Sequence, residues 1–183
     1  MEAIQNLVDE HRLILRSLSV AQIMAKRFYE EHKIQKDDLL SWVDFVVNYA
    51  DTFHHKKEED VLFVWMKERG FPSGGGPITC MLQEHDIGRS FIKTIKEVVH
   101  LGEFTNKKNI ETVCAALIDF ASHLSNHIYK EDNILYPMAE QLAQKGDDAE
   151  LLKRYAEKIS TEDSRQIQDK NQQLVAHLES RYC

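Results

Sequence analysis

Apolar residues recur along the chain at the three- and four-residue spacing of helices that face a core, and almost nothing reads as a strand. The first helix is expected from about residue 3 to 31, with Ile4, Leu7, His11, Ile14, Leu18, Met24 and Phe28 on one face. The second runs from about 37 to 69, with Leu40, Val43, Val47, Ala50, His54, Glu58, Leu62 and Trp65 on its stripe. Gly70 to Pro77 holds most of the glycine and proline and is the clearest loop. A third helix begins after Pro77 and ends near 100, carrying Ile78, Leu82, His85, Ile92 and Ile95. The fourth runs from about 106 to 143 through Ile110, Val113, Leu117, Phe120, Leu124, His127, Glu131, Leu135 and Met138. Connections near 32–36 and 101–105 are short, which makes consecutive helices antiparallel neighbours. The expected fold is all-α, an up-down-up-down four-helix bundle over residues 1–143 with an additional C-terminal helix in an extension over 144–183. That last stretch, about 148 to 180, is highly charged with a thin apolar seam through Leu152, Tyr155 and Leu178. Docking on the bundle and service to a protein partner both fit it.

Several polar residues sit on the inward stripes. Glu58 follows His54 by four residues, and Glu131 follows His127 by four, so each pair shares one face of its helix. Both faces are the apolar ones. A buried carboxylate without a partner costs several kcal/mol, so these positions require compensation. A metal cation is one such partner, and imidazole and carboxylate are suitable ligands.

The pattern also repeats. The segment from His54 to Phe63, HHKKEEDVLF, reads closely like that from His127 to Tyr136, HIYKEDNILY, and Glu10-His11 echoes Glu84-His85. The offsets agree, 43 residues from His11 to His54 and 42 from His85 to His127. The chain thus reads as two helical hairpins, each offering one histidine from its first helix and a His-x3-Glu from its second. With a rise of roughly 1.5 Å per residue, the two histidines of a hairpin come within about 5 to 8 Å of one height. Four imidazoles and two carboxylates can then converge mid-bundle, a common place for metal sites.

Composition narrows the classes. The longest apolar runs are a few residues, so no span crosses a membrane. The start, MEAIQNLVDEH, shows no signal-peptide pattern, and a cytoplasmic location is expected. A net charge of −7 argues against nucleic acid as a partner. Cys80, Cys114 and Cys183 form neither a disulfide framework nor a CxxC motif, and Cys80 and Cys114 read as small core residues.

Through EHRLI, HHKKEEDVLF, GGPITCMLQEHDIGR and HIYKEDNILYP, about residues 5 to 140, the sequence resembles the hemerythrin-like, HHE cation-binding family of non-haem di-iron proteins. The resemblance implies that His11, His54, His85 and His127 are terminal imidazole ligands of two iron ions. It implies that Glu58 and Glu131 bridge them, with an oxo or hydroxo group completing the bridge. Oxygen-carrying hemerythrins have a further histidine one turn before the position of His85; here that residue is Met81. With one imidazole fewer, extra open positions are expected. In this the chain is similar to di-iron proteins associated with repair of iron–sulfur clusters under nitrosative stress. Those carry a short cysteine-containing N-terminal module, and this sequence opens on the bundle.

Other polar residues carry competing readings. Glu59 and Asp132 adjoin the expected bridges but are rotated by about 100°, which favours a solvated face; the family sometimes ligates through the next residue, so both stay candidate ligands. His123, four residues before His127, fits a fifth imidazole ligand, an outer hydrogen-bond partner or a satisfied core histidine. His55 reads as a surface or outer residue, Glu10 and Glu84 as surface charges, and Tyr49, Tyr129 and Tyr136 as packing. His32, His100 and His177 are given no role. A ferritin-like site needs two Glu-x-x-His motifs, and only Glu97 to His100 has that spacing. HExxH, P-loop and GxGxxG motifs are absent.

The function expected from the resemblance is binding or sensing of a small diatomic ligand, dioxygen or nitric oxide. The rivals are a di-iron oxidoreductase acting on peroxide or nitric oxide, an iron donor in iron–sulfur cluster repair, and an iron-responsive or purely structural interaction bundle.

Overall fold

The computed structural model describes residues 1–72, 74–159 and 161–183, without the side chains of Thr161 and Glu162. Ser73 of the expected loop and Ser160 of the expected last helix lie outside them. Six helices and no strand occur among the described residues. Helix α1 is Glu2–Glu30. Helix α2 begins as Lys36–Phe45, widens into π-helical Val46–His55 and Glu58–Leu62, and ends as Phe63–Glu68. Helix α3 is Pro77–Leu101. Helix α4 runs through Lys107–Lys130, a π-helical Glu131–Leu135 and Tyr136–Leu142. Helices α5, Asp147–Lys158, and α6, Thr161–Tyr182, complete the chain.

Local chemistry sets the helix ends. Pro77 opens α3, where its fixed φ suits the first turn and its missing N–H costs nothing. Asn106 caps α4 by accepting the Asn109 N–H at 3.2 Å. Gly102 closes α3 in the left-handed region, at φ 72°. The π-helical turns are different in kind. Such turns are rare and concentrate at functional sites. Here they carry His54, His55, Glu58 and Glu131, and two of them start at Glu58 and Glu131, the equivalent positions of the sequence repeat.

The long helices form a bundle in which α1 and α3 both pack along α4. The core is divided. One apolar cluster includes Leu18, Phe28, Trp42, Phe45, Leu117 and Phe120. The other includes Leu7, Leu62, Trp65, Met81, Leu135 and Ala139. Between them lies a layer of buried polar side chains, among them Glu10, His11, His54, Glu58, His85, His127 and Glu131. No helix among the described residues is long and apolar enough to cross a membrane.

The C-terminal stretch differs from the single helix expected. The helix breaks at Ile159, whose backbone is extended at φ −140° and ψ 116°. The break lets two short stripes reach two separate clusters. Leu151 and Tyr155 of α5 join the Leu7–Trp65 cluster, while Val175, Leu178 and Tyr182 of α6 join the Phe28–Trp42 cluster. Polar contacts fix both helices. Arg69 bonds Asp147, Arg16 pairs with Glu179, and the Tyr182 hydroxyl donates to Asp38 at 2.7 Å. The seam offered as a partner surface is thus largely taken up by the bundle. Cys80 is exposed, contrary to the core reading, because the third helix turns it outward beside Glu84; Cys114 is buried.

Asp148 of α5 also caps α1, accepting the backbone N–H groups of Glu2 at 3.0 Å and Ala3 at 2.9 Å. Asp148→Ala should therefore destabilise the protein by about 1 kcal/mol, the usual worth of an N-cap. For a chain of this size the melting midpoint should fall by about 2–4 °C. An unchanged midpoint in thermal denaturation would show that α5 does not fasten α1.

Candidate metal centre

Each of the four long helices delivers one imidazole to the middle layer: His11 from α1, His54 from α2, His85 from α3 and His127 from α4, all buried. Every ring turns Nδ1 outward to a carboxylate. His11 donates to Asp132 at 2.7 Å, His54 to Glu10 at 2.9 Å, His85 to Glu59 at 2.7 Å and His127 to Glu84 at 3.0 Å. Lys57 bonds Glu10 and Lys130 bonds Glu84, and Arg89 donates to Glu59 at 2.7 Å. Carboxylates only accept, so the ring hydrogen sits on Nδ1, and Nε2 faces inward as a lone pair in the neutral ring.

The inward nitrogens meet in pairs. His11 Nε2 lies 2.9 Å from His54 Nε2, and His85 Nε2 lies 3.0 Å from His127 Nε2. Two lone pairs at that distance repel unless a proton or a cation lies between them. Two imidazoles at right angles on one cation, each with a metal–nitrogen distance of about 2.1 Å, place their nitrogens about 3.0 Å apart. The carboxylates tell the same story. Glu58 and Glu131 are fully buried, and Glu58 Oε2 and both Glu131 oxygens have no hydrogen-bond partner. Glu131 Oε2 lies 3.3 Å from His11 Nε2, while Oε1 lies 3.1 Å from His127 Nε2. Glu58 Oε2 lies 3.6 Å from both His54 Nε2 and His85 Nε2. Its Oε1 accepts the Tyr136 hydroxyl at 2.8 Å.

Donor atoms group around two centres, each within 4.8 Å: His11, His54, Glu58 and Glu131, and His55, Glu58, His85 and His127. Orphaned buried carboxylate oxygens beside converging nitrogens are what a cation would satisfy. The donor set fits a metal of the imidazole-and-carboxylate class, iron included.

Without a cation, protons take its place. Burial opposes charge on His11, but the hydrogen bond to Asp132 and the neighbouring Glu131 and Glu58 carboxylates outweigh it and raise the imidazole to about 10. Burial and the neighbouring Glu131 push Glu58 well above the carboxylate range. Burial would raise Glu131 too, but the neighbouring imidazoles of His127, His11 and His85 hold it well below. His54 is pushed down by burial and by the charge on His11. His55 is pushed down to about 4 by burial and by the charge on His85. Burial raises Glu59 as well, yet the bonds from His85 and Arg89 win and hold it down to about 2.

Several sequence expectations change here. His55 is buried, not a surface residue; its ring stacks on His85 with centroids 3.8 Å apart and planes 12° apart. It precedes Glu58 by three residues, a spacing that shares a helix face. Glu10 is buried and Glu84 largely so, each gripping an imidazole from the neighbouring helix; the repeated Glu-His pair was the available signal. Glu59 and Asp132 also do more than face solvent. They bind His85 and His11 from outside, across the two hairpins, and the donor groups form without them. His123 joins neither group; its Nε2 donates to the Glu84 carbonyl at 2.8 Å and so braces the residue that holds His127. Tyr136 packs on His11, as expected, but also bonds Glu58.

An all-helical bundle with a buried histidine–glutamate metal site is thereby defined. Residues 2–139 match the hemerythrin HHE cation binding domain, and the chain belongs to that family. Among curated proteins it is similar to the iron-sulfur cluster repair protein YtfE of Dickeya chrysanthemi, 28% identical over 137 residues, which are 62% of this chain and 61% of that protein. The YtfE of Cronobacter sakazakii is 27% identical over 135 residues, 72% of this chain and 60% of the relative. A probable iron-sulfur cluster repair protein of Haemophilus influenzae is 25% identical over 135 residues, 61% of this chain and 60% of the relative. The chain thus spans about three fifths of the length of these relatives. No solved structure matches.

The proton inventory generates a prediction. In the metal-free centre His11 is pushed up to about 10 and Glu58 is pushed up as well, so a cation must displace protons from this layer. Metal binding should release protons, and affinity should fall as the pH is lowered. Anaerobic calorimetric titration with ferrous ion, in buffers of different ionisation enthalpy, counts them. Heats that do not depend on the buffer would mean that these groups do not meet the metal.

Proposed function

We propose that the protein is a non-haem di-iron protein that binds a small diatomic gas, dioxygen or nitric oxide, at one half of its centre. The observation that carries this reading is the division of Glu131, whose two oxygens face different histidine groups at 3.3 and 3.1 Å. A carboxylate so placed suits a bridge between two cations, and Glu58, shared by both groups, suits a second. His11, His54, Glu58, His85, His127 and Glu131 are the proposed ligands, with His55 added on the strength of its position. The four long helices are proposed to run up-down-up-down around them, in a bundle domain over residues 1–143 that the 144–183 extension braces.

His55 alters the ligand balance expected from Met81. It gives one half three imidazoles, His55, His85 and His127, and leaves the other with His11 and His54. When bound, iron supplies the electrons and the open coordination position that a diatomic gas requires. Gas binding is therefore assigned to the two-imidazole half. Tyr136 serves that half. Burial pushes its hydroxyl well above the usual tyrosine range, so it stays protonated and donates to Glu58. It also lies 3.4 Å from His11 Nε2, close enough to offer a hydrogen bond to a small polar ligand. Apolar clusters above and below the layer limit the approach of bulk water to His11 and His54 and slow loss of electrons to solvent.

A second reading is an oxidoreductase or iron donor in iron–sulfur cluster repair. It is favoured by the shared name of the relatives, of which this chain covers about three fifths. Release of ferrous iron to a cluster-depleted acceptor protein, without gas present, would support it over gas binding. The cytoplasm is the proposed compartment, in keeping with three free cysteines.

About two irons per chain are expected from the ligand count after growth in iron-rich medium. Glu131→Ala should lose most of the iron, whereas Asp132→Ala, which removes only an outer hydrogen bond, should lower affinity by about 10–100-fold and leave saturable binding. His55→Ala should deplete one iron more than the other. The reduced protein should respond optically to both gases in stopped-flow mixing. One iron per chain would defeat the bridging role; two irons with no response to either gas would leave a structural or iron-sensing bundle.

A further inference from the structure

A cavity of about 340 Å³ opens among α2, α3 and α4, beside the metal centre. His55 and His85 form its floor, and buried Val46, Ala50, Ile92 and Phe120 form much of its wall. At about 30 Å³ per water it has room for on the order of ten waters. That is far more than a diatomic gas needs, and it falls at the lower end of small-molecule sites.

Two features give the cavity a chemistry. The first is Gly88, buried in the wall, inside a 25-residue helix. Glycine is unfavourable in a helix interior. Neither steric closeness nor backbone conformation demands it, since an added Cβ would sit 3.7 Å from the Phe120 ring, an ordinary contact. What the glycine does is leave the space open. The second is the charge at the rim. Arg89 is committed to Asp51, Glu59 and Asp86. Lys93 and Lys96, three residues apart on one helix face, are exposed at the rim, and neither is in an ion pair among the described residues, on a chain of net charge −7.

We propose that this cavity binds an amphiphilic monoanion, an apolar body of about ten non-hydrogen atoms ending in a carboxylate. The apolar end lies against the His55–His85 stack, and the carboxylate meets Lys93 and Lys96. Binding itself does not depend on the iron; only an effect of the bound anion on the iron spectrum rests on the di-iron reading.

Octanoate is the probe, titrated calorimetrically into the full-length protein as purified, with iron content measured on each sample. Saturable binding of one octanoate per chain is expected, at least tenfold tighter than propionate because the cavity buries the longer tail. Replacing both lysines with serine should weaken octanoate by about fivefold, roughly the worth of one exposed ion pair, and leave 1-octanol unchanged. Gly88→Leu should fill the space and abolish binding with iron content and melting midpoint retained, and Gly88→Ala should weaken binding while raising the midpoint. In methyl NMR, octanoate should shift Ala50 and Ile92. No saturable heat, or binding equally strong in Gly88→Leu, would overturn the proposal. Equal affinity for octanoate and octanol, unaffected by loss of the lysines, would overturn its anionic part. Octanoate binding by a protein that takes up no iron would sink the di-iron reading and leave this one standing.

Discussion

Two carboxylates with no exposed surface, Glu58 and Glu131, set the terms for the rest of the molecule. An ionised carboxylate left alone in an apolar interior costs several kcal/mol, and a pair of them repel as well. The fold answers by surrounding them with imidazoles rather than with lysine or arginine. An imidazole can hold a proton in the metal-free state and present a lone pair to a cation when one is available. The polar layer is consequently stable only as a whole. It separates two apolar clusters, and removing one carboxylate would leave facing nitrogens without either proton or metal to share.

Orientation comes from a second ring of carboxylates, arranged in a pattern that the chain repeats. His54 and His127 are each held from within their own hairpin, by Glu10 and Glu84, and each of those carboxylates is neutralised by a lysine, Lys57 or Lys130. His11 and His85 are instead held from the other hairpin, by Asp132 and Glu59. The crossed bonds tie the hairpins together at the level of the centre. A rigid donor set follows from outer partners of this kind, which fix ring orientation and raise ligand basicity.

Much of this was legible before any coordinates. The helical periodicity, the short connections and the two His-x3-Glu pairs give the all-helical fold and the layer at which polar groups collect, because apolar stripes with embedded charge admit few other arrangements. What stayed hidden has physical reasons. Glu59 and Asp132 are out of phase with the buried stripe and meet histidines of the opposite hairpin, a relation that no single-helix projection contains. The burial of His55 was hidden because its place beside His85 depends on how the second and third helices pack. The π-helical turns leave no periodic mark, since each changes the phase over only a few residues. The break at Ile159 answers to the two separate clusters that the last helices cover, which is tertiary information.

The repeat is also imperfect, and two of the positions at which it differs make the two halves of the centre unlike. Tyr136 corresponds to Phe63; the first ring stacks on His11 with centroids 5.5 Å apart, the second on His85 at 6.2 Å. The stacking is preserved and only the hydroxyl is added. His55 corresponds to Ile128, both buried, so here an imidazole replaces an aliphatic side chain. The two exceptions fall on opposite halves. One half gains a nitrogen donor next to His85, and the other gains a hydroxyl next to His11 and Glu58. A symmetric centre would treat its two halves alike. With donors concentrated on one side and a hydroxyl on the other, the two halves present different chemistry, and the proposed assignment of gas binding to one half rests on that difference. Two substitutions within a duplicated framework are enough to produce that division, because the framework already positions everything else.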